Sequence, residues 1–273
     1  MARRWCIPLA TIALAFGSML AAAGAASAAP VSHPAAHGVA RTGFRPGGLM
    51  VRPGGVNRVS GHGRDTTAES TNWSGYAVTG ANGAYHSVSA SWTEPKATCT
   101  SRRAAQYASF WVGLDGYSSN SVEQTGTDSD CSGTSPQYYG WYEMYPAYPV
   151  NFSNTVKPGD AMSASVTFSG TETFTLVLKD STQGWTQTIT KNQTGLARSS
   201  AEVITEAPSS NSGVLPLANF GTINYSTSSA NGSSLGGQNP IQIIMINNSG
   251  QDKDSTSSIS SGGAFSNTWI RSN

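Results

Sequence analysis

Histidine is scarce in this sequence, and its scarcity excludes several kinds of active site. Only four of the 273 residues are histidine, and only His86 lies after residue 65. A Ser-His-Asp site needs a histidine base held by a carboxylate. A catalytic zinc site needs about three His or carboxylate ligands, with a spacing such as His-Glu-x-x-His. Gly-x-Ser-x-Gly, P-loop and dinucleotide-binding fingerprints are also missing. We interpret His86 as an ordinary strand residue and expect neither a metal site nor a cofactor.

Cysteine and charge are scarce too. The chain has three cysteines. Cys6 lies in the leader, and in an exported protein the remaining pair, Cys99 and Cys131, most simply forms one disulfide. That crosslink would contribute roughly 3–4 kcal/mol and stiffen the segment carrying Gln124. Charged residues make up 11% of the chain, with a net charge of +6 through residue 65 and −5 from residue 66 onward. The acidic part has no basic patch, so we expect no nucleic-acid partner.

The one long apolar run lies at the amino terminus. Residues 1–28 have a basic start, an apolar stretch and a small-x-small ending at Ala28, as in a secretory signal peptide. Residues 29–65 are rich in Gly, Pro, Arg and His and should not fold alone. We predict a basic pro-segment that lies on the acidic body and leaves at low pH; a flexible linker is the alternative. The mature protein would be secreted, not bound to a membrane, and monomeric.

Helical periodicity is absent from residues 66–273, where polar and apolar residues alternate instead. Alternation with a period of two indicates half-buried strands. We predict strands over residues 85–92, 106–114, 138–145, 162–168, 174–178, 185–189, 202–206, 220–225, 241–246 and 264–270. With turn residues between them, they favour an all-β fold, an antiparallel sandwich. We interpret the pairs Asp128-x-Asp130 and Asp252-x-Asp254 as solvated acidic turns rather than calcium loops.

Five motifs in order carry a resemblance to a known family. They are residues 110–116 (Phe-Trp-Val-Gly-Leu-Asp-Gly), 124–126 (Gln-Thr-Gly), 141–146 (Trp-Tyr-Glu-Met-Tyr-Pro), 201–206 (Ala-Glu-Val-Ile-Thr-Glu) and 220–222 (Phe-Gly-Thr). This order resembles the glutamic peptidases (eqolisins, peptidase family G1) over residues 72–273. The resemblance implies a sandwich of two curved antiparallel sheets, similar to the jelly roll of concanavalin-like lectins. It also implies a secreted endopeptidase made with an inhibitory pro-segment, active in acid on polypeptides and insensitive to pepstatin.

The resemblance also assigns roles to residues. Gln124 and Glu202 match the catalytic pair, and the predicted cleft residues are Trp111, Asp115, Glu143, Trp141 and Tyr145. Trp111, Trp141 and Tyr145 fit a packed core equally well. Val203 and Met144 stand where tryptophan is common in the family, and the cysteine arrangement differs, which affects subsites more than the reaction.

The chemistry expected of the pair is hydrolysis by an activated water. Glu202 would take the proton of the water and return it to the leaving nitrogen. The Gln124 amide would donate to the oxyanion. We expect hydrogen bonds, with Gln124 as a candidate donor, to lower the pKa of Glu202. Glu206 lies on the same face, about 13 Å along the strand, and cannot serve the same atom.

Two other functions remain open from the sequence. A glycoside hydrolase on the same kind of sandwich would use two carboxylates about 5–9 Å apart, and Glu143 and Glu202 are the candidates. A lectin-like carbohydrate-binding module would not require Glu202.

Overall fold

The computed structural model describes residues 66–117, 119–170, 172–210 and 213–273, which belong to one compact unit. The predicted signal peptide (1–28) and pro-segment (29–65) lie outside the described residues. Within the described ranges the strands are β1 (Thr66–Ser70), β2 (Trp73–Thr79), β3 (Ser87–Thr93), β4 (Ser109–Leu114), β5 (Val122–Ser132), β6 (Ser135–Tyr145), β7 (Val150–Asn151), β8 (Ala161–Ser169), β9 (Thr173–Asp180), β10 (Trp185–Asn192), β11 (Ser200–Glu206), β12 (Ser209–Ser210), β13 (Gly213–Val214), β14 (Thr222–Ala230), β15 (Ser233–Ser234), β16 (Ile241–Met245), β17 (Asp254–Thr256) and β18 (Phe265–Trp269).

These strands form two large sheets, which confirms the predicted sandwich. The first sheet has the order β1-β16-β2-β11-β4-β5-β6-β7. The second sheet has the order β10-β9-β8-β3-β14-β18-β17, with β15 paired to β14. All neighbours are antiparallel except β1 and β16, which run parallel. A short hairpin of β12 and β13 follows β11.

The main core lies between the two sheets. In β4, Phe110, Val112 and Leu114 point into it, and Leu176 and Leu178 of β9 meet them from the second sheet. All five are at most 1% exposed. Burying a side chain of this size contributes about 1.5–3 kcal/mol, so the alternate positions of each strand hold the sheets together. The side chains on the other face of the first sheet lie outside this core.

Two sequence predictions were wrong for one reason. Val122–Ser132 was not predicted as a strand, yet it forms β5, one of the two longest strands. Asp128 and Asp130 lie in it, buried at 0% and 1% exposure rather than in a solvated turn. Asp254 likewise lies in β17 and is fully buried. These segments contain few large apolar residues, so alternation cannot reveal a strand whose polar side chains are paired inside the protein.

Three further features bear on the sequence predictions. Cys99 and Cys131 form the predicted disulfide, which ties the loop before β4 to the end of β5. His86 is exposed and stands just before β3. None of the helical segments in the described ranges is long and apolar enough to cross a membrane.

Candidate active site

The predicted catalytic residues share one row across the first sheet. Strand register pairs Glu202 with Gly113 and Gly113 with Gln124. Side chains of residues paired in this way point to the same face of a sheet, and neighbouring strands lie about 4.8 Å apart. Glu202 and Gln124 therefore sit about 10 Å apart at the backbone, on the face turned away from the second sheet. We call this the front face.

Gly113 lies between them at a position where no side chain would fit. A Cβ added there would lie 2.8 Å from Cζ3 of Trp111 and 3.3 Å from Cβ of Gln124. Because glycine has no side chain, the long side chains of Glu202 and Gln124 can lean toward each other above it. The sequence carries a signal for this role, because an isolated Gly inside a strand often marks a place where a ligand or another chain segment approaches the backbone closely.

Glu143 extends the row by one strand and holds the Gln124 amide. Register pairs the two residues, and Nε2 of Gln124 donates to Oε2 of Glu143 at 2.6 Å. Both side chains are at most 1% exposed. A Gln amide carries two N–H donors, so Glu143 fixes the orientation of the group and leaves the second N–H for another acceptor.

The Glu202 carboxyl is fully buried, and its pKa lies well above the ordinary value. Burial is the largest cause, followed among the raising causes by the charges of Asp115 and Glu123. The Ser200 hydroxyl and the Tyr117 backbone are near enough to oppose the rise, although neither oxygen makes a hydrogen bond of normal geometry with the described residues. The expected lowering of this pKa was therefore wrong: desolvation outweighs the nearby donors, and the Gln124 amide donates to Glu143.

Asp115 is occupied by the segment that leads into β11. Its Oδ2 accepts the N–H of Arg198 at 2.6 Å, and its Oδ1 accepts the N–H of Ser199 at 2.9 Å. Asp115 is fully buried. The structure brings it near Glu202 through this segment, and a role in substrate binding stays a prediction.

The tryptophans form the next row. Register aligns Ile204, Trp111, Gly126 and Trp141 across four strands. Trp111 donates from Nε1 to Oε2 of Glu206 at 2.8 Å, and Trp141 donates from Nε1 to Oδ1 of Asp128 at 2.6 Å. The acidic residues that the sequence left without a role thus anchor the indole rings.

An apolar cluster on the front face surrounds these rows. Its buried members are Trp73, Ala77, Trp111, Val122, Trp141, Ile204 and Ile243, and Tyr117, Tyr139 and Tyr145 pack against it. Trp73 meets Trp111 edge to face with ring centroids 4.9 Å apart. Trp111, Trp141 and Tyr145 therefore lie with Glu202 and Gln124 on one face, outside the core between the sheets.

Sequence reasoning missed one buried acid beside the site. Glu123 precedes Gln124, points to the opposite face of β5 and is fully buried. Burial and the charge of Asp115 raise its pKa to about 9. Among the described residues, no group of three or more His, Cys, Asp or Glu side chains is arranged to hold a metal ion.

Comparison with known proteins identifies the family. The model of the Peptidase A4 family matches residues 71–269. Aspergillopepsin-2 of Aspergillus niger is 28% identical over 211 residues, covering 69% of this chain and 74% of that protein.

Two solved structures have the same fold. Scytalido-glutamic peptidase with a transition state analog inhibitor matches with a TM-score of 0.62 and 28% identity, over 73% of this chain and 98% of that one. SCP-B, a member of the eqolisin family in complex with the tripeptide Ala-Ile-His, matches with a TM-score of 0.58 and 25% identity, over the same shares. The chain therefore belongs to the Peptidase A4 family, the eqolisins or glutamic peptidases of family G1, and is a peptide-bond hydrolase.

Proposed function

We propose that this protein is a secreted acid endopeptidase in which Glu202 and Gln124 hydrolyse the peptide bond through a water molecule. One observation carries the proposal: the two buried side chains stand in one register row of the front face, separated only by Gly113. A water and a peptide carbonyl held above Gly113 would be within reach of both.

Each residue has a distinct task in this proposal. Glu202 takes a proton from the water as the water attacks the carbonyl carbon, and returns it to the leaving nitrogen. The second N–H of Gln124 donates to the oxyanion of the tetrahedral intermediate, and losing such a donor typically costs about 2.7–4 kcal/mol. Glu143 keeps the amide oriented.

The Gln124 amide suits activity in acid. The amide of Gln124 keeps its donors at any pH, whereas a histidine base would be protonated below its ordinary pKa of about 6.5. The raised pKa of Glu202 makes it a competent proton donor to the leaving nitrogen, and a stronger base once ionised. We also propose insensitivity to pepstatin, since aspartic peptidases use two carboxyls sharing a proton and here an amide faces the single carboxyl across Gly113.

Polypeptide chains are the proposed substrates. Trp111, Trp141 and Tyr145 line the front face on either side of the catalytic row, where they would contact substrate side chains, with Asp115 and Glu143 as further predicted cleft residues. The presence of a tripeptide in SCP-B and of a transition state analog in scytalido-glutamic peptidase supports peptides as the substrate class.

Export, the pro-segment and the monomeric state remain proposals. The disulfide between Cys99 and Cys131 suits an oxidising compartment, in line with a signal peptide at residues 1–28. The opposite net charges of the first 65 residues and the rest support a pro-segment that inhibits the enzyme until carboxylates are protonated. Measuring inhibition by a peptide of residues 29–65 at pH 3 and pH 6 tests this: equal inhibition at both would count against it.

The test of the dyad is a pair of substitutions. Glu202→Gln and Gln124→Ala should each reduce cleavage of a denatured protein at pH 2–5, with pepstatin present, by at least about 10²-fold. Glu172→Gln, at an exposed position in the turn between β8 and β9, is the matched control and should cleave normally. Near-normal activity of either dyad variant, with melting temperatures unchanged, rules the dyad out.

The glycosidase alternative is disfavoured by spacing and family. Glu143 and Glu202 lie three strands apart in the row, about 14 Å at the backbone, and Gln124 stands between them with its amide on Glu143. An amide that a glycosidase mechanism does not use would therefore lie between the two carboxylates. The family match is also to a peptidase.

A further inference from the structure

We propose that Asp115 is a positioning residue for Glu202: its carboxylate clamps Arg198 and Ser199 at the entry to β11, and replacing it changes the pH profile of the activity. This inference rests on the proposed role of Glu202 as the base. It differs from a substrate-binding role, because Asp115 would act through another residue of the chain.

The clamp joins the end of β4 to the start of β11. The carboxylate of Asp115 accepts the N–H groups of Arg198 and Ser199, and its Oδ1 also accepts the Ser199 hydroxyl at 3.3 Å. In the other direction, the N–H of Asp115 donates to the carbonyl of Ser200 at 3.0 Å. These four contacts hold residues 198, 199 and 200 at the entry to β11, three of them through the Asp115 carboxylate.

The backbone supports this reading. Asp115 has a φ of 68°, a left-handed conformation in which Asp and Asn are enriched among residues other than Gly. The turn aims the side chain back at residues 198 and 199 rather than along the strand. Because Asn tolerates the same φ, Asp115→Asn keeps the turn while removing the charge and the acceptor that the two N–H groups share.

The clamp also places two electrostatic influences around Glu202. The Asp115 charge disfavours ionisation of Glu202, and the nearby Ser200 hydroxyl favours it; the clamp holds Ser200 by its backbone carbonyl. Other titratable groups that face Glu202 or its near neighbours are Glu123 behind β5, Glu143 in the same row, Tyr85, Tyr117 and Arg198. Tyr85 also contacts this segment, because its N–H donates to the Arg198 carbonyl at 3.0 Å, but among these groups only Asp115 holds the segment through a carboxylate.

The experiment compares pH profiles of kcat/KM. Asp115→Asn should lower kcat by about 10–100-fold, since small misplacements of a catalytic group have effects of this size, with KM changing less than about threefold. Its acid limb should move to lower pH by about 0.5–1 unit, because a neighbouring negative charge is gone. Ser200→Ala should move the acid limb the other way, to higher pH, because a hydroxyl close enough to favour the ionised form of Glu202 is gone.

Asp160→Asn is the matched control. Asp160 also accepts a backbone N–H, that of Lys157 at 2.7 Å, but it does so beside the second sheet. The control should change the melting temperature without moving the acid limb. If Asp115→Asn folds poorly, Ser200→Ala provides the test. An unchanged pH profile of kcat/KM in Ser200→Ala would also contradict the proposed arrangement of groups around Glu202.

Three outcomes would overturn the proposal. They are an acid limb unchanged in Asp115→Asn, a rise in KM with kcat retained, and a shift of equal size in Asp160→Asn. The dyad is judged separately, because loss of activity in Glu202→Gln with an unmoved profile in Asp115→Asn would sink this inference alone.

Discussion

The two sheets of this protein treat polar residues in opposite ways. In the second sheet, β3, β8 and β9 alternate between buried and partly or fully exposed positions, and Ser and Thr occupy the exposed ones. In the first sheet, β4 and β11 are buried on both faces, and β5 is buried at all but its last residue. The first sheet nonetheless carries Glu202, Gln124 and Glu123. Its polar side chains must therefore be paired, protonated or used in chemistry, because burying an unpaired charge is costly.

This contrast predicts where substitutions have effects. A change on the outer face of the second sheet removes a solvated group and should alter little. The same change in the first sheet removes a partner from a buried network or alters a catalytic row. Matched substitutions in the two sheets can break or sharpen the comparison.

The largest effect is expected at the disulfide, which braces only the first sheet among the described residues. Replacing both Cys99 and Cys131 by Ala should lower the free energy of unfolding by about 3–4 kcal/mol, because the bond closes a loop with a sequence separation of 32. Denaturant unfolding measures this. The activity per folded molecule should be retained. An unchanged unfolding midpoint would show that the first sheet needs no brace.

Gly113 and Gly170 make a matched pair of glycines. Gly113→Ala should lower kcat/KM by about 100-fold, or roughly 2.7 kcal/mol, because the new Cβ collides with buried Trp111 between the dyad residues. Gly170→Ala, in the turn after β8, meets nothing within 4 Å and should leave kcat/KM unchanged. Peptide hydrolysis assays measure kcat/KM of both variants, and melting curves show whether both are folded. Equal activity in the two variants would contradict the requirement for glycine at position 113.

Glu123 should make the protein less stable as pH rises. Its folded pKa is raised to about 9, so the folded state binds the proton more tightly than the unfolded state. The resulting stability is fully present below about pH 4.5 and is lost as pH rises toward 9. Buried Glu94 and Asp254, with pKa values raised to about 8 and about 7, act with the same sign.

Glu123→Gln should therefore stabilise the protein by about 2 kcal/mol at pH 7 and by much less at pH 4. Urea unfolding at the two pH values gives the difference. Glu172→Gln, in the exposed turn between β8 and β9 of the second sheet's strands, is the control and should leave the pH dependence as it is. A Glu123→Gln variant with the wild-type slope would mean that this carboxyl does not stay protonated in the fold.

The smallest contrast is between two threonines. Thr205 of β11 is fully buried, and its hydroxyl pairs with that of Tyr225 at 3.1 Å. Thr188 of β10 is exposed. Thr205→Ala should cost about 1–2 kcal/mol and Thr188→Ala less than about 0.5 kcal/mol. If chemical denaturation shows the same loss in the free energy of unfolding for both variants, the contrast between the two sheets does not hold for these threonines.

The same contrast explains which strands the sequence could predict. In the second sheet, residues such as Met162, Ala164 and Val166 mark one face of β8 by apolar alternation, and the strand was predicted within two residues of its ends. In β5, Glu123, Gln124, Thr125 and Asp128 leave no apolar period, since both faces are polar and buried. Periodicity reports which face meets water, so it fails for a strand with no wet face.

The candidate site was predicted in a similarly uneven way. The motif order identified the family and nominated Glu202 and Gln124, and the structure places both in one row. The direction of the Glu202 pKa shift was wrong, because the sequence does not reveal burial or the proximity of Asp115 and Glu123. The partnership of Asp115 with residues 198 and 199 joins segments more than eighty residues apart, and no local pattern announces it.

The sequence by itself determined the all-β class, the single disulfide and the family, because each follows from local alternation, residue counts or motif order. Only the tertiary structure decided which side chains share a face, which carboxyls are buried and keep their protons, and which residue holds the start of β11. Those properties depend on strand register and on distance through space, which bring together residues that are remote along the chain.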